Sequence, residues 1–279
     1  MKYFSLLFIP FFFLACGGGG GSSSQSSAII QDPITQGYWY RPATNTSWQW
    51  QLSGTPNTSY PVDMYDLDLF DTPTSTIKAL HQQGAKVICY FSAGSYENWR
   101  EDKDDFDSAV LGNNLDGWAG EKWLDISSDL IRPIMVARLD LAKEKGCDGV
   151  EPDNVDGYTN NSGFALSEND QLAYNTFLSV EAHKRSLSIG LKNDLDQIDT
   201  LEPYFDFAVN EQCHQYNECD TLSPFIANNK PVFNAEYKKA YVNNTNSKRD
   251  LLCADSLQLK FQTLVLPLNL DDSFRISCN

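Results

Sequence analysis

Four carboxylates fall within nine positions of GCDGVEPDNVDGY (146–158): Asp148, Glu151, Asp153 and Asp156. Such a cluster suits nucleophilic or acid–base work when a strand delivers it to a cleft, and is solvated charge when it lies on a loop. Gly149 and Val150 read as a strand running straight into Glu151 and Asp153. Side chains alternate along a strand, so Asp153 shares a face with Glu151 and Gly149, while Asp148, Val150 and Pro152 point the other way. Asp148 is then a strand-entry residue and Asp156 a loop residue. Glu151 lies one layer deeper, where an unpaired charge is costly and a cation is expected; Lys192 on the next strand is the obvious one. Asp153, at the rim, is the better reagent. The same count along FDFAVNE (205–211) sets Glu211 at a strand tip above Val209 and Phe207, a desolvated setting that raises a carboxyl pKa and suits general acid work.

Around these two the spacing collects a pocket. Asp66 and Asp68 share a face of one strand, Tyr90 and Ser92 share a face of another, and Glu236 ends a third. Together with Glu151, Lys192 and Trp48 they form the expected substrate-binding set. Two carboxyl groups flanking a scissile bond are the requirement for glycoside hydrolysis. Trp48, Trp50, Tyr96, Trp99, Trp118 and Tyr158 lie in or near strand ends and loops, where two or three of them are expected to stack on sugar rings. No GxSxG elbow supports a serine hydrolase. Two rival readings remain: a noncatalytic polysaccharide-binding barrel, and a divalent-metal-dependent hydrolase with Asp66, Asp68, Glu151 and Asp153 as oxygen ligands.

The elements that must position these residues alternate. Strand patterns at 48–52, 63–70, 86–92, 148–153, 187–193, 205–211, 231–237 and 257–264 are interleaved with helical patterns at 74–83, 130–145 and 168–185, the first two stopped by Gly84 and Gly146. Eight strands with intervening helices are the makings of a single-domain (β/α)8 TIM barrel, and the acids, amides, Lys and Tyr gather at the C-terminal strand ends, where barrel active sites lie. A doubly wound sheet is the alternative, but the Gly-rich phosphate turn it normally carries is missing. EKWLDIS (121–127) is a possible ninth strand.

With 42% hydrophobic and 13% aromatic residues, the chain can bury a full-sized core. A formal charge of −16 disfavours nucleic acid and anionic lipid as partners and welcomes a cationic one. Residues 1–16, MKYFSLLFIPFFFLAC, read as an export signal resembling that of bacterial lipoproteins, with Cys16 lipidated after cleavage. No Asp follows Cys16, which favours the outer membrane; plain secretion is the alternative. The Gly/Ser-rich stretch to residue 34 reads as a flexible tether, and 35–279 as the catalytic domain. Export implies disulfides: Cys213 with Cys219, and Cys253 with Cys278. Cys89, inside a strand pattern, and Cys147, just ahead of one, are left open between buried thiols and a further disulfide. A monomer without cofactor or metal is expected.

WQWQLSG (48–54), DLDLFDT (66–72), ICYFSAGSYE (88–97), GCDGVEPDNVDGY (146–158), GLKND (190–194), NEQC (210–213) and VFNAEY (232–237) together resemble glycoside hydrolase family 114, the endo-α-1,4-polygalactosaminidases. The resemblance covers about residues 38 to 279. It implies a (β/α)8 fold, cleavage of α-1,4-linked galactosamine polymers, and a catalytic pair formed by the Asp of EPDN and the Glu of NEQ. In this chain those are Asp153 and Glu211, with Asp153 the nucleophile of a retaining reaction and Glu211 the acid/base. Partly de-acetylated galactosamine chains are polycations, which an acidic groove would attract.

Overall fold

The computed structural model describes residues 29–279. The expected export signal with Cys16, and most of the expected tether, therefore lie outside the described residues. The chain first lays down three parallel strands, β1 (Trp48–Gln51), β2 (Met64–Asp68) and β3 (Lys86–Ser92). It then builds a separate antiparallel sheet from β4 (Ser95–Glu97), β5 (Leu111–Asn114) and β6 (Glu121–Leu124). It returns to the first sheet with β7 (Gly149–Asp153), β8 (Ser188–Lys192), β9 (Phe207–Glu211), β10 (Val232–Glu236) and β11 (Gln262–Val265), all parallel and in chain order. A short β12 (Ile276–Ser277) pairs antiparallel with β11. Helices α1 (Thr74–Gln82), α2 (Arg132–Lys145), α3 (Glu168–Lys184), α4 (Ile198–Leu201), α5 (Cys213–Tyr216), α6 (Ser223–Ala227), α7 (Lys239–Val242) and α8 (Lys248–Leu259) connect the strands.

Local signals set the long helices where the sequence puts them. Ser167 and Asp170 form a reciprocal capping box at the start of α3, and Gly146 takes a left-handed φ of 89° to end α2. Of the run 257–264 expected as the last strand, Leu257–Leu259 instead complete α8, and only Gln262–Leu264 are strand. Leu252 and Ser256 face the core from this helix, and the left-handed Lys260 breaks it before β11. Short apolar runs do not distinguish strand from helix by periodicity. EKWL, the possible ninth strand, is β6 of the small sheet, so the strand order does not slip.

Strand alternation splits the core in two. Residues on one face of the sheet, such as Val87, Cys89, Val150 and Leu191, pack against the helices. Those on the other face, Trp48, Trp50, Met64, Ile88, Phe207, Val209, Phe233 and Leu264, pack against one another. The sheet curls to allow this: the rings of Trp48 on β1 and Phe233 on β10 lie 5.0 Å apart, and Trp48 Nε1 donates to the Gln262 carbonyl of β11 at 2.9 Å. Truncating a Trp so enclosed costs about 3–5 kcal/mol. Among the described residues no backbone ladder joins β1 to β11. The fold is thus an α/β fold on a curled, mostly parallel nine-stranded sheet.

Cys213–Cys219 and Cys253–Cys278 are disulfides. Cys89 and Cys147, which the sequence left open, form a third: the β3–β7 pairing brings their Cα atoms to 6.0 Å across a separation of 58 residues. Only strand pairing makes them neighbours. Three disulfides fit a protein exported to an oxidising compartment.

Candidate active site

Strands β7, β8 and β9 are adjacent, and their last residues are Asp153, Lys192 and Glu211. The middle strand therefore delivers an ammonium between two carboxylates. Lys192 Nζ lies 2.9 Å from Asp153 Oδ1 and 3.2 Å from Glu211 Oε2. Burial works to lower the Lys192 pKa, but Asp153, Glu211 and Glu151 around it hold the ammonium well above its ordinary value. Tyr90 donates to the second oxygen of Asp153 at 2.9 Å, and the Tyr237 hydroxyl donates to Glu211 Oε1.

The turns after these strands aim the two carboxylates. Asn154 adopts φ 60°, a left-handed conformation that Asn tolerates well, and its N–H donates to Asp153 Oδ1 at 2.7 Å. Its side chain donates to Ser92 Oγ at 2.9 Å, tying the turn to the end of β3. Gly94 makes room there, because a Cβ on it would stand 1.7 Å from the Asn154 carbonyl oxygen. Asn193, also left-handed, accepts the Glu211 N–H at 3.0 Å. Phe207 and Val209 lie beneath Glu211 as the alternation requires, yet Lys192 and Tyr237 give that carboxylate polar company instead of a purely apolar pocket.

A cleft of about 630 Å³ opens over Asp153, Lys192 and Glu211. Tyr90, Asp68 and Trp50 line its floor; Trp99, Trp118 and Trp123 line its side. Trp99 and Trp118 are 50% and 51% exposed, so their faces are free for a ligand. The wall carrying Asn113, Trp118, Glu121 and Trp123 comes from the small sheet inserted after β3. Eight acids line the cleft (Asp68, Asp71, Glu97, Asp116, Glu121, Asp153, Asp156 and Glu211), against two cations, Arg100 and Lys192. Both cations are already taken: Arg100 binds Asp68 at 2.6 Å and Glu97 at 2.8 Å. Burial pushes Glu121 up to about 7, and burial with the nearby Asp153 charge pushes Asp156 up to about 6. Asp156, taken from sequence as a loop residue, is on the loop and faces this cleft.

Four residues expected at the ligand do not reach it. Trp48 is 1% exposed and sits a layer below Trp50. Glu236 points outward from β10 and accepts the His214 N–H of α5 at 2.9 Å; burial pushes it up to about 7. Alternation along Phe233, Ala235 and Tyr237 would have selected Tyr237, the residue that does reach the site. Asp66 and Glu151 are both fully buried beneath Lys192. Arg100, Glu97 and Glu121 had no sequence signal beyond the unusual length of the segment between β3 and α2. The acids of the metal-site reading do not converge: Asp68 is bound to Arg100, and Asp153 faces the Lys192 ammonium where a cation would have to sit. Cys213, His214 and Cys219 also cluster, but the two sulfurs are bonded to each other.

A parallel curled sheet with paired carboxylates at its C-terminal strand ends defines a glycoside hydrolase site. The chain belongs to glycoside hydrolase family GH114, whose model matches residues 31–279, and is a glycosidase of the endo-α-1,4-polygalactosaminidase-like kind. It is similar to Aspergillus fumigatus Ega3, solved in complex with galactosamine, at 47% identity and a TM-score of 0.82, covering 87% of this chain and 99% of that one. The glycoside hydrolase domain of PelA from Pseudomonas aeruginosa shares the fold at 13% identity and a TM-score of 0.64, covering 83% of this chain and 98% of that one. No curated protein matches the sequence.

Proposed function

We propose that the protein hydrolyses α-1,4 linkages in galactosamine-containing polysaccharide with retention of configuration. Asp153 attacks the anomeric carbon as Glu211 protonates the departing glycosidic oxygen; Glu211 then takes a proton from the water that cleaves the glycosyl–Asp153 ester. The observation that carries this reading is Lys192 Nζ lying between the two carboxylates. Contacts of 2.9 and 3.2 Å limit the separation of the two bridged oxygens to their sum, 6.1 Å. That range admits the ~5 to 5.5 Å spacing of retaining enzymes. Tyr90, Lys192 and the Asn154 N–H orient Asp153, and Tyr237 orients Glu211.

The excess of acids over free cations in the cleft favours an amine-bearing chain, as does the galactosamine bound to Ega3. Beyond Gly54 and Asp71 the cleft continues into a second hollow of about 400 Å³, giving a polymer somewhere to lie on both sides of the cut bond. We read the curled sheet as a (β/α)8 barrel, with β12 and Arg275, which donates to the Trp48 carbonyl at 2.7 Å, bridging the seam between β11 and β1. The domain reading keeps 35–279 as the catalytic unit behind a signal and tether, with a lipid on Cys16. Trp39 stacks on His183 and donates to Asp206, at the strand end opposite the cleft. A tether leaving there would turn the cleft away from the anchoring membrane.

Digestion of galactosaminan, its N-acetylated form and glucosaminan, with products read by mass, tests the assignment. Oligosaccharides are expected from galactosaminan. Asp153→Asn and Glu211→Gln should each lower kcat by about 10³-fold or more with little change in Tm. Activity surviving both changes, or lost to a chelator, would sink the reading.

A further inference from the structure

Below the reacting groups lies a carboxyl pair that substrate cannot touch. Asp66 on β2 and Glu151 on β7 are both 0% exposed and lie within hydrogen-bonding reach of each other. Neither Asp66 oxygen has a donor partner, nor does Glu151 Oε1. Glu151 Oε2 accepts from Trp50 Nε1 at 3.1 Å, and Lys192 Nζ stands 3.6 Å from Oε1. Two ionised carboxylates in contact, with three of four oxygens lacking a donor, would be untenable in this interior. One proton between them supplies the missing donor.

We propose that Asp66 and Glu151 share a single proton and act as a positioning pair, whose one negative charge holds the Lys192 ammonium against Asp153. This rests on the reading of Asp153 as nucleophile. Around the pair stand Trp50 from β1, Tyr90 from β3, Asp153 from β7, Lys192 from β8 and Tyr237 beyond β10; Lys192 is the cation among them. Burial pushes both carboxyls up, Asp66 to about 7, and the Asp66 charge raises Glu151 further, while the Glu151 hydrogen bond and the Lys192 ammonium work to lower Asp66. Below that pH the pair gains its second proton and loses its charge. The hold on Lys192 then weakens on the acid side, without any change in the cleft wall.

Amide variants test the proton count, because an amide facing a carboxylate imitates a carboxyl–carboxylate pair. Asp66→Asn and Glu151→Gln each keep one negative charge, and each should cost less than roughly tenfold in kcat while lessening the acid-side fall of the pH profile. The double variant removes the charge and should cost roughly a hundredfold or more, in kcat and not in KM. If both groups are ionised, each single change already removes one of two charges and should by itself cost roughly tenfold or more in kcat, which would overturn the proposal. Infrared difference spectra provide a readout independent of turnover. At pH 8 the wild type should show a protonated-carboxyl stretch that each single variant lacks, apart from bands common to all three such as that of Asp194, which burial pushes up to about 8. Its absence from the wild type would overturn the shared proton even if hydrolysis is normal, whereas its presence in an enzyme inert on every polymer would fault the glycosidase reading instead.

Discussion

Replacing Lys192 with Met removes one charge from the most crowded point of the molecule. Nζ lies 2.9, 3.2 and 3.6 Å from Asp153, Glu211 and Glu151, and the side chain is 3% exposed. At an effective dielectric of about 20, each such contact carries about 5–6 kcal/mol of gross Coulomb attraction, most of it offset by desolvation. Breaking a buried pair costs about 3–5 kcal/mol net, because a charge is left uncompensated. Met keeps the apolar stem against Trp50, over whose ring the ammonium sits at 5.0 Å, so the loss is mainly one of charge. Urea unfolding at pH 7, with disulfides oxidised, should thus show a loss of about 3–5 kcal/mol. The Lys192 pKa is raised, so its contribution is complete at all pH values below its ordinary value and is lost only on the far alkaline side. Any shrinkage of the difference toward pH 4 must therefore come from carboxyl groups taking up protons. Turnover should fall by about a hundredfold or more, since Asp153 and Glu211 lose their common orienting group. A loss below about 1 kcal/mol with kcat within about threefold would refute the charge-balance reasoning.

Trp99→Ala and Trp118→Ala should each raise KM for long polymer by roughly tenfold with smaller effects on kcat, measured by initial rates, because both line the cleft with exposed ring faces on which a sugar can stack. Burial raises Glu121 and Glu236 to about 7 and Asp194 to about 8. Groups with raised folded pKa values favour folding at low pH, so Tm should decline as pH climbs from about 4 to 8, and Glu121→Gln should flatten that decline. Replacing both Cys89 and Cys147 by Ala should cost about 4 kcal/mol by loop entropy, against about 2 for the Cys213–Cys219 pair, because the loops span 58 and 6 residues. Denaturant titration of the two variants checks the order, and equal losses would count against loop length as the cause.

How far the chain could be read depended on the range of the interactions involved. The alternation in GVEPD and FAVNE picked Asp153 and Glu211 and placed Phe207 and Val209 below, because strand geometry is local and its period of two survives any tertiary context. Gly84, Gly146 and the Ser167 cap marked helix ends for the same reason. In VFNAEY the same alternation selects Tyr237 over Glu236. What only the tertiary structure decided is who meets whom. The curl of the sheet drops Trp48 below Trp50, sets Lys192 between the two carboxylates, and presses Asp66 against Glu151 from a strand two places away. Pairing of β3 with β7 joins Cys89 to Cys147, and the inserted sheet turns Trp123 and Glu121 toward the cleft. Contacts of this kind depend on strand order, register and curvature, which emerge from the packing of the whole core and leave no periodic trace in the chain. The sequence by itself determined which side chains point inward; the fold decided which of them share a proton, a charge or a substrate.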